Sequence, residues 1–215
     1  MTLSQSKDCP LCQSVSNLFF VLPERKYLRC NICYSVFMDT EDHPNLNVEK
    51  ERYLKHKNDV NDVGYRNFVS PIVQAIQIEK SIDAKGLDFG AGTGPVTSQM
   101  LSDKGYSISL YDPFFWPQKE LLNLKYDFII LCEVMEHFRE PHKEFELLRS
   151  LLNPDGKIYC MTSLFDDSIN FQNWYYKNDL THLFFYHFNA IHWIRDQFKF
   201  KSVQIKDKLI VFTVD

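Results

Sequence analysis

The chain is expected to fold as an α/β domain: a doubly wound, mostly parallel sheet ending in an antiparallel hairpin, preceded by a small cysteine-rich module. Three observations predict this. From residue 84 onward, short apolar runs alternate with amphipathic segments, the pattern of strands covered on both faces by helices. Near the C-terminus, KSVQIK (201–206) and LIVFTV (209–214) flank a tight Asp207–Lys208 connection, as the strands of a hairpin do. Two Cys-x-x-Cys pairs punctuate residues 9–33.

Taken in order, LFFVL (18–22) and KYLRC (26–30) read as two short strands joined through Pro23 and Glu24. The polar stretch 39–47 contains Pro44 and reads as a linker. Residues 48–59 and 66–80 have helical character, the second either kinked at Pro71 or beginning near Ser70–Pro71. There follow a strand at 84–90, a helix at 93–105 closed by Gly105, and strands at 106–112 and 126–134. A helix at 140–153, a strand at 156–162 and a helix at 189–198 lead to the hairpin. Three units result: residues 1–40, residues 41–80 as a linker with N-terminal helices placed as a lid, and residues 81–215.

A length of 215 residues suits one ordinary domain with a small appendage, and 45% hydrophobic with 24% charged residues excludes a disordered chain. The net charge of −4 gives the whole no electrostatic reason to coat nucleic acid. Residues 1–40 carry only one net positive charge. No stretch approaches the ~18 apolar residues of a membrane span, and the opening MTLSQSKDCP lacks the apolar run of an export signal. The expected setting is the reducing cytoplasm, where paired cysteines suggest a metal before disulfides.

Cys9-Pro-Leu-Cys12 and Cys30-Asn-Ile-Cys33, 17 residues apart, have the ligand pattern of a four-thiolate zinc ribbon. Four protein ligands complete a tetrahedral ion, so the expected Zn2+ is structural and supplies folding free energy that some ~30 residues lack on their own. Iron satisfies the same spacing. A redox pair is the other reading, and it requires a helix start beside one knuckle. Cys132 and Cys160 fall within apolar strands and are expected to pack in the core.

Residues 87–94 read Leu-Asp-Phe-Gly-Ala-Gly-Thr-Gly, which places Gly90, Gly92 and Gly94 at a strand-to-helix turn where backbone can approach a ligand closely. A P-loop requires Gly-Lys-Ser/Thr, which is absent, and Pro95 stands where a dinucleotide fingerprint places its third glycine. The next strand ends at Asp112, 24 residues after Asp88, where a carboxylate accepts hydrogen bonds from ribose hydroxyls. The competing roles are a turn residue before Pro113 for Asp112, and a partnered strand end for Asp88.

These motifs, with Tyr126-Asp127-Phe128-Ile129-Ile130, Glu133-Val134-x-Glu136-His137-Phe138 and Leu152-Asn153-Pro154-Asp155-Gly156, resemble the successive motifs of class I S-adenosylmethionine-dependent methyltransferases. The likeness covers about residues 50–215 and is similar to a subgroup with an N-terminal four-cysteine zinc ribbon, a Tyr53-x-x-His56-x-Asn58 segment and a Trp174-to-His182 segment. It implies a seven-stranded Rossmann-like sheet, S-adenosylmethionine as cofactor, and cofactor contacts from Asp88, Gly90, Gly92, Gly94, Asp112, Pro113 and Glu133. One departure stands out: only 13 residues separate Asp112 from Tyr126, too few for the usual helix and third strand. Phe114, Phe115 or Trp116 therefore either covers the adenine or packs at the sheet edge.

An acceptor must meet the methyl group in line at about 3 Å with water excluded. Glu133, Glu136 and His137 follow an apolar strand and so lie at the ligand rim; Glu136 and His137 either face an acceptor or cap the next helix. The aromatic connection 163–187 is long enough to be functional and is expected to form the acceptor pocket. In it His182 is the candidate base and Tyr175 the orienting hydroxyl, the other reading of His182 being a buried histidine satisfied by backbone. Tyr53 and His56, one helical turn apart, either close over the cofactor or form a plain polar face. Three functions fit: a methyltransferase for a small-molecule or carrier-linked acceptor, an RNA methyltransferase gripping with its ribbon, and a non-catalytic cofactor-binding or interaction module. The first fits the acidic charge and aromatic pocket; salt-dependent RNA binding would mark the second.

Overall fold

The computed structural model describes residues 6–55 and 59–215, and its described residues form two sheets. The first is antiparallel, with β1 (Ser6–Asp8), β2 (Val15–Leu22), β3 (Arg25–Cys30) and β4 (Val36–Met38) in sequence order. Its fifth strand comes from far along the chain: β9 (Phe184–Phe185) pairs with β4 through Val36↔Phe185 and Phe37↔Phe184. The second sheet holds β5 (Lys85–Phe89), β6 (Ser107–Tyr111), β7 (Tyr126–Cys132), β8 (Leu152–Met161), β10 (Ser202–Lys206) and β11 (Leu209–Thr213). Its order is β10-β11-β8-β7-β5-β6, parallel from β6 to β8 and antiparallel through β11 and β10.

The helices are α1 (Leu46–Leu54), α2 (Val63–Glu79), α3 (Val96–Ser102), α4 (Pro141–Ser150) and α5 (Phe188–Gln197). Central strand β7 shows why the sheet is covered on both faces. Phe128 and Ile130 point to the cluster containing Ile72, Val73 and Ile76 of α2 and Leu101 of α3. Ile129 and Leu131 point oppositely, to the cluster containing Phe145 of α4 and Ile191 of α5. Strict alternation on a strand without polar residues facing water is the mark of a doubly covered sheet.

The sheet has six strands among the described residues, not the seven that the resemblance implies. Residues 113–125 hold only an Asp112↔Trp116 bridge and a 3-10 turn at Lys119–Asn123, so nothing pairs beyond β6. Other boundaries moved for local reasons. The Asn45 side chain accepts from the amides of Asn47 and Val48 and starts α1 two residues early. Residue Leu152 pairs with Tyr126 ahead of a register shift, so β8 claims residues expected to end α4. Pro71 does not start a helix, because α2 begins at Val63 and runs through it. The carbonyl of Asn67, which Pro71 cannot serve, accepts instead from the Ser70 hydroxyl at 2.8 Å.

The cysteine module is built into the main core. Cys9, Leu11, Leu28 and Phe37 share one apolar cluster with Leu87, Phe145 and Phe212. The opposite face of the small sheet, Tyr27, Val36 and Met38, is covered by Phe165, Phe171, Tyr176 and Leu183 of the 163–187 connection. Most of the aromatic run expected to line an acceptor pocket is thus the roof of this sheet. No helix among the described residues is long and apolar enough to cross a membrane.

Phe185 is fully buried, with its ring against Tyr27, Phe171, Trp174 and Tyr176. Phe185→Ala is expected to cost about 3–5 kcal/mol. Because both sheets share a core, urea unfolding should shift as one transition; an early separate loss of the N-terminal sheet would show the two to be independent.

Candidate active site

The parallel strands order the site. β5 and β7 are neighbours, yet the chain leaves β5 for β6 on one side and returns to β7 on the other, which opens a crevice at their carboxyl ends. A cavity of about 1010 Å³ lies there. On one side it is lined by Asp88, Gly90, Gly92, Gly94, Asp112 and Pro113, all named from sequence.

Asp88, only 3% exposed, takes its one close partner from α3, accepting from the Ser98 hydroxyl at 2.5 Å. The amides of Gly90 and Ala91 both donate to the Tyr111 carbonyl, at 2.8 and 3.1 Å, and so tie the loop to the end of β6. Gly90 needs its hydrogen: φ is +85°, and a Cβ would lie 2.7 Å from Val134. Gly92, at φ +60°, has nothing within 4 Å of a Cβ position, so the loop leaves open space there.

Asp112 fills the turn role foreseen for it and is also tied to the glycine loop. Its Oδ1 accepts from the amides of Phe114 and Phe115 at 2.8 and 3.1 Å, a turn cap. Its Oδ2 accepts from the Gly92 amide at 3.1 Å, which fixes the carboxylate to the glycine loop. A carboxylate has about four acceptor positions, so one on Oδ2 stays open to the cavity. Phe114 and Phe115 line the cavity. The Trp116 indole instead donates to the Gly92 carbonyl at 2.8 Å and buttresses the loop from outside.

The other end of the cavity is lined by Glu133, His137, Tyr175, Tyr176 and His182. His137 and His182 both turn Nδ1 to a backbone carbonyl, Thr181 at 2.8 Å and Tyr176 at 2.7 Å, and their rings lie 4.9 Å apart. Donation from Nδ1 leaves the lone pair on Nε2. Glu136 is fully buried behind them and caps no helix. It accepts from the hydroxyls of Tyr176 at 2.5 Å and Thr162 at 3.1 Å. Tyr176 also donates to Glu133 at 3.2 Å. Tyr176 therefore holds the inner place expected for Tyr175, which is 65% exposed at the mouth. The alternating pattern of a strand would have told the two apart, but this stretch is 3-10 turns.

Tyr53 closes the cavity from α1, with its ring 5.3 Å from His137 and 5.9 Å from Phe114. Its helix is anchored by Arg52 to Asp179 at 2.7 Å, and by Glu49 to Arg139 at 2.6 Å. His56 lies outside the described residues. The four sulfurs of Cys9, Cys12, Cys30 and Cys33 lie within 4.8 Å of one another, with close contacts of 3.3 and 3.7 Å. Each knuckle is closed by a residue at φ +59°, Gln13 and Tyr34, and the amides of Ile32 and Cys33 point at Cys30 Sγ.

A methyltransferase-domain family matches residues 53–205. No curated protein sequence matches the chain. Among solved structures, the fold is similar to the 1,6-didemethyltoxoflavin-N1-methyltransferase of Burkholderia thailandensis, bound to its substrate and S-adenosylhomocysteine, at TM-score 0.54 and 13% identity over 92% of this chain and 99% of that one. It is similar also to magnesium protoporphyrin IX methyltransferase from Synechocystis PCC 6803 with bound SAH, at 0.53 and 15% over 79% and 94%. Human N-acetylserotonin methyltransferase in complex with SAM follows, at 0.51 and 14% over 70% of this chain; the chain spans only 53% of that enzyme's length.

The cavity floor is acidic. Burial pushes the Asp88 carboxyl up to about 6 and the Glu133 carboxyl up to about 8, the latter helped by Glu136 and opposed by Lys208. A carboxyl raised in the folded state binds its proton more tightly there than in the unfolded chain. Its favourable contribution is complete below about 4.5 and is lost as pH rises through about 8. Glu133→Gln is therefore expected to raise the melting temperature relative to wild type at pH 9 and to change it far less at pH 5; equal shifts at both would contradict the assignment.

Proposed function

This chain belongs to the methyltransferase-domain family; on that premise we propose that it is an S-adenosylmethionine-dependent enzyme that methylates a small-molecule or carrier-linked acceptor at the His137–His182 end of the cavity. The observation that carries this is the continuity of one cavity from the glycine loop to the two imidazoles.

The residues fit the cofactor. The open space at Gly92, the remaining acceptor position of Asp112 and the rings of Phe114 and Phe115 provide for backbone approach, ribose and adenine respectively. The cofactor supplies an electrophilic methyl group on a sulfonium, already a good leaving group. What the chain must add is alignment, exclusion of water and a place for a proton. Tyr53 and α1 exclude water from above. His182 offers Nε2 to the acceptor, and burial followed by the neighbouring His137 holds its pKa below the ordinary imidazole value. It is thus neutral and ready to accept at pH 7. The proton it gains is compensated by Glu136, whose carboxyl is positioned by Tyr176 and Thr162.

The sulfurs fit zinc. A tetrahedral ion with bonds near 2.3 Å places thiolates about 3.8 Å apart, close to the contacts seen. The proposed ion is structural, since no fifth ligand is needed, and a cytoplasmic setting keeps its thiols reduced. With one face in the core and the other roofed by residues 163–187, the ribbon supports the acceptor wall instead of projecting as a separate grip.

Isotopic methyl transfer from labelled cofactor into a small-metabolite extract should label a product. Asp112→Ala should lower cofactor affinity at least about tenfold, since it removes charge-assisted hydrogen bonds and loosens the loop; undiminished transfer would refute the assignment. His182→Gln should lower kcat about 10²–10⁴-fold and abolish the acid limb of the pH profile, which in wild type should fall below the ordinary imidazole value. An acid limb unchanged in the variant would remove His182 as the base.

A further inference from the structure

Two imidazoles and a carboxylate meet at the inner end of the cavity. One nitrogen or oxygen from each of Glu136, His137 and His182 lies within 4.8 Å of those of the other two, and the imidazole rings are 4.9 Å apart. Among the described residues, the other grouping this tight is the four-cysteine cluster. The surroundings are those of metal ligands. His137 and His182 each donate from Nδ1 to a backbone carbonyl, at 2.8 and 2.7 Å, which fixes the ring and leaves the lone pair on Nε2. Glu136 is fully buried, and its two oxygens are held separately, Oε1 by the Tyr176 hydroxyl at 2.5 Å and Oε2 by the Thr162 hydroxyl at 3.1 Å. Metal-binding histidines and carboxylates are oriented by an outer layer of partners of this kind. A second observation asks for a cation. The Tyr176 hydroxyl also reaches Glu133 at 3.2 Å, and Glu133 Oε1 is buried without a hydrogen-bond partner. Two carboxylates that share one hydroxyl away from water repel each other, and a positive ion beside them relieves the repulsion.

We propose that His137, His182 and Glu136 bind a divalent transition-metal ion at the acceptor end of the cavity. Imidazole combined with carboxylate suits Mn2+, Fe2+, Co2+ or Zn2+. Three protein ligands leave positions for an acceptor and water, in contrast to the sulfur cluster, which four ligands close. The site stands on its geometry; its part in catalysis rests on the methyltransferase reading above, and it identifies the acceptor atom as a hydroxyl oxygen. A hydroxyl bound to such an ion becomes more acidic. Its proton passes to Glu133 Oε1, its oxygen attacks the methyl carbon, and the electron pair of the broken C–S bond stays on sulfur. In the metal-bound chain His182 Nε2 is a ligand, so the ion's charge takes over from imidazole basicity the task of making the oxygen nucleophilic.

The test starts from the full chain with its four sulfurs already filled by zinc. Mn2+ is titrated in, and electron paramagnetic resonance counts the free ion. Wild type should take up one equivalent. His137→Ala and His182→Ala should each weaken uptake more than about 100-fold, and Tyr176→Phe, which removes only the hydroxyl on the carboxylates, about 10–100-fold, with the zinc content unchanged. Added Mn2+ should also raise the methylation rate of wild type. Wild type that takes up no Mn2+ would overturn the site whether or not the variants fold, as would unchanged affinity in His137→Ala. Mn2+ bound at these residues with no effect on the rate of transfer would overturn its catalytic part. Binding as described with no methyl transfer at all would leave the site standing and strike the methyltransferase reading instead.

Discussion

Two residues of antiparallel pairing join the halves of this molecule. Phe184 and Phe185 of β9 extend the small sheet by one strand, and their side chains divide between its faces. Phe184 stacks on Phe37 with ring centroids 5.9 Å apart, inside the core shared with α4 and α5. Phe185 enters the aromatic roof on the other side. His182, two residues before the pair, faces the cavity. The Leu183 amide donates to the Glu136 carbonyl at 2.8 Å, and the Leu183 carbonyl accepts from Met38 at 2.8 Å. His182 therefore has its position set by a cysteine-bound sheet on one side and the β7 rim on the other. A side chain placed this way, as the proposed base is, keeps its geometry without a helix or strand of its own.

The cavity itself combines burial with negative charge. Asp88, Glu133 and Glu136 are raised by burial, and the protein tolerates this because each accepts at least one hydroxyl hydrogen bond. A floor of this kind favours a cationic ligand and disfavours anions, with Lys208 as the local exception. The proposed sulfonium suits it.

Much of the fold was legible in sequence because its signals are local. Apolar runs such as Phe128–Leu131 define doubly covered strands, the glycine spacing defines the loop, and the knuckle spacing defines the sulfur cluster. The terminal hairpin was equally plain. What stayed hidden depends on contacts distant in sequence. Nothing in Phe184-Phe185 announces that it pairs with Val36-Phe37, 148 residues earlier, because a two-residue strand has no periodicity to read. Tyr176 could not be preferred to Tyr175 without knowing which way a 3-10 turn presents each. Within the site, the carboxylates and glycines line the cavity that their motifs predicted, whereas Lys208 entered only through the terminal hairpin and Thr162 only through its hydroxyl on Glu136.

If the cysteine-bound sheet holds up the acceptor wall, then metal, fold and cofactor site are one cooperative unit. Calorimetry with S-adenosylhomocysteine on the metal-loaded chain, and again after the bound metal has been removed with a chelator, tests this most directly. One equivalent should bind the loaded protein, with affinity reduced at least about tenfold once the sulfurs are stripped. Uptake that is absent from the loaded protein, or identical in protein shown to be metal-free, would contradict it.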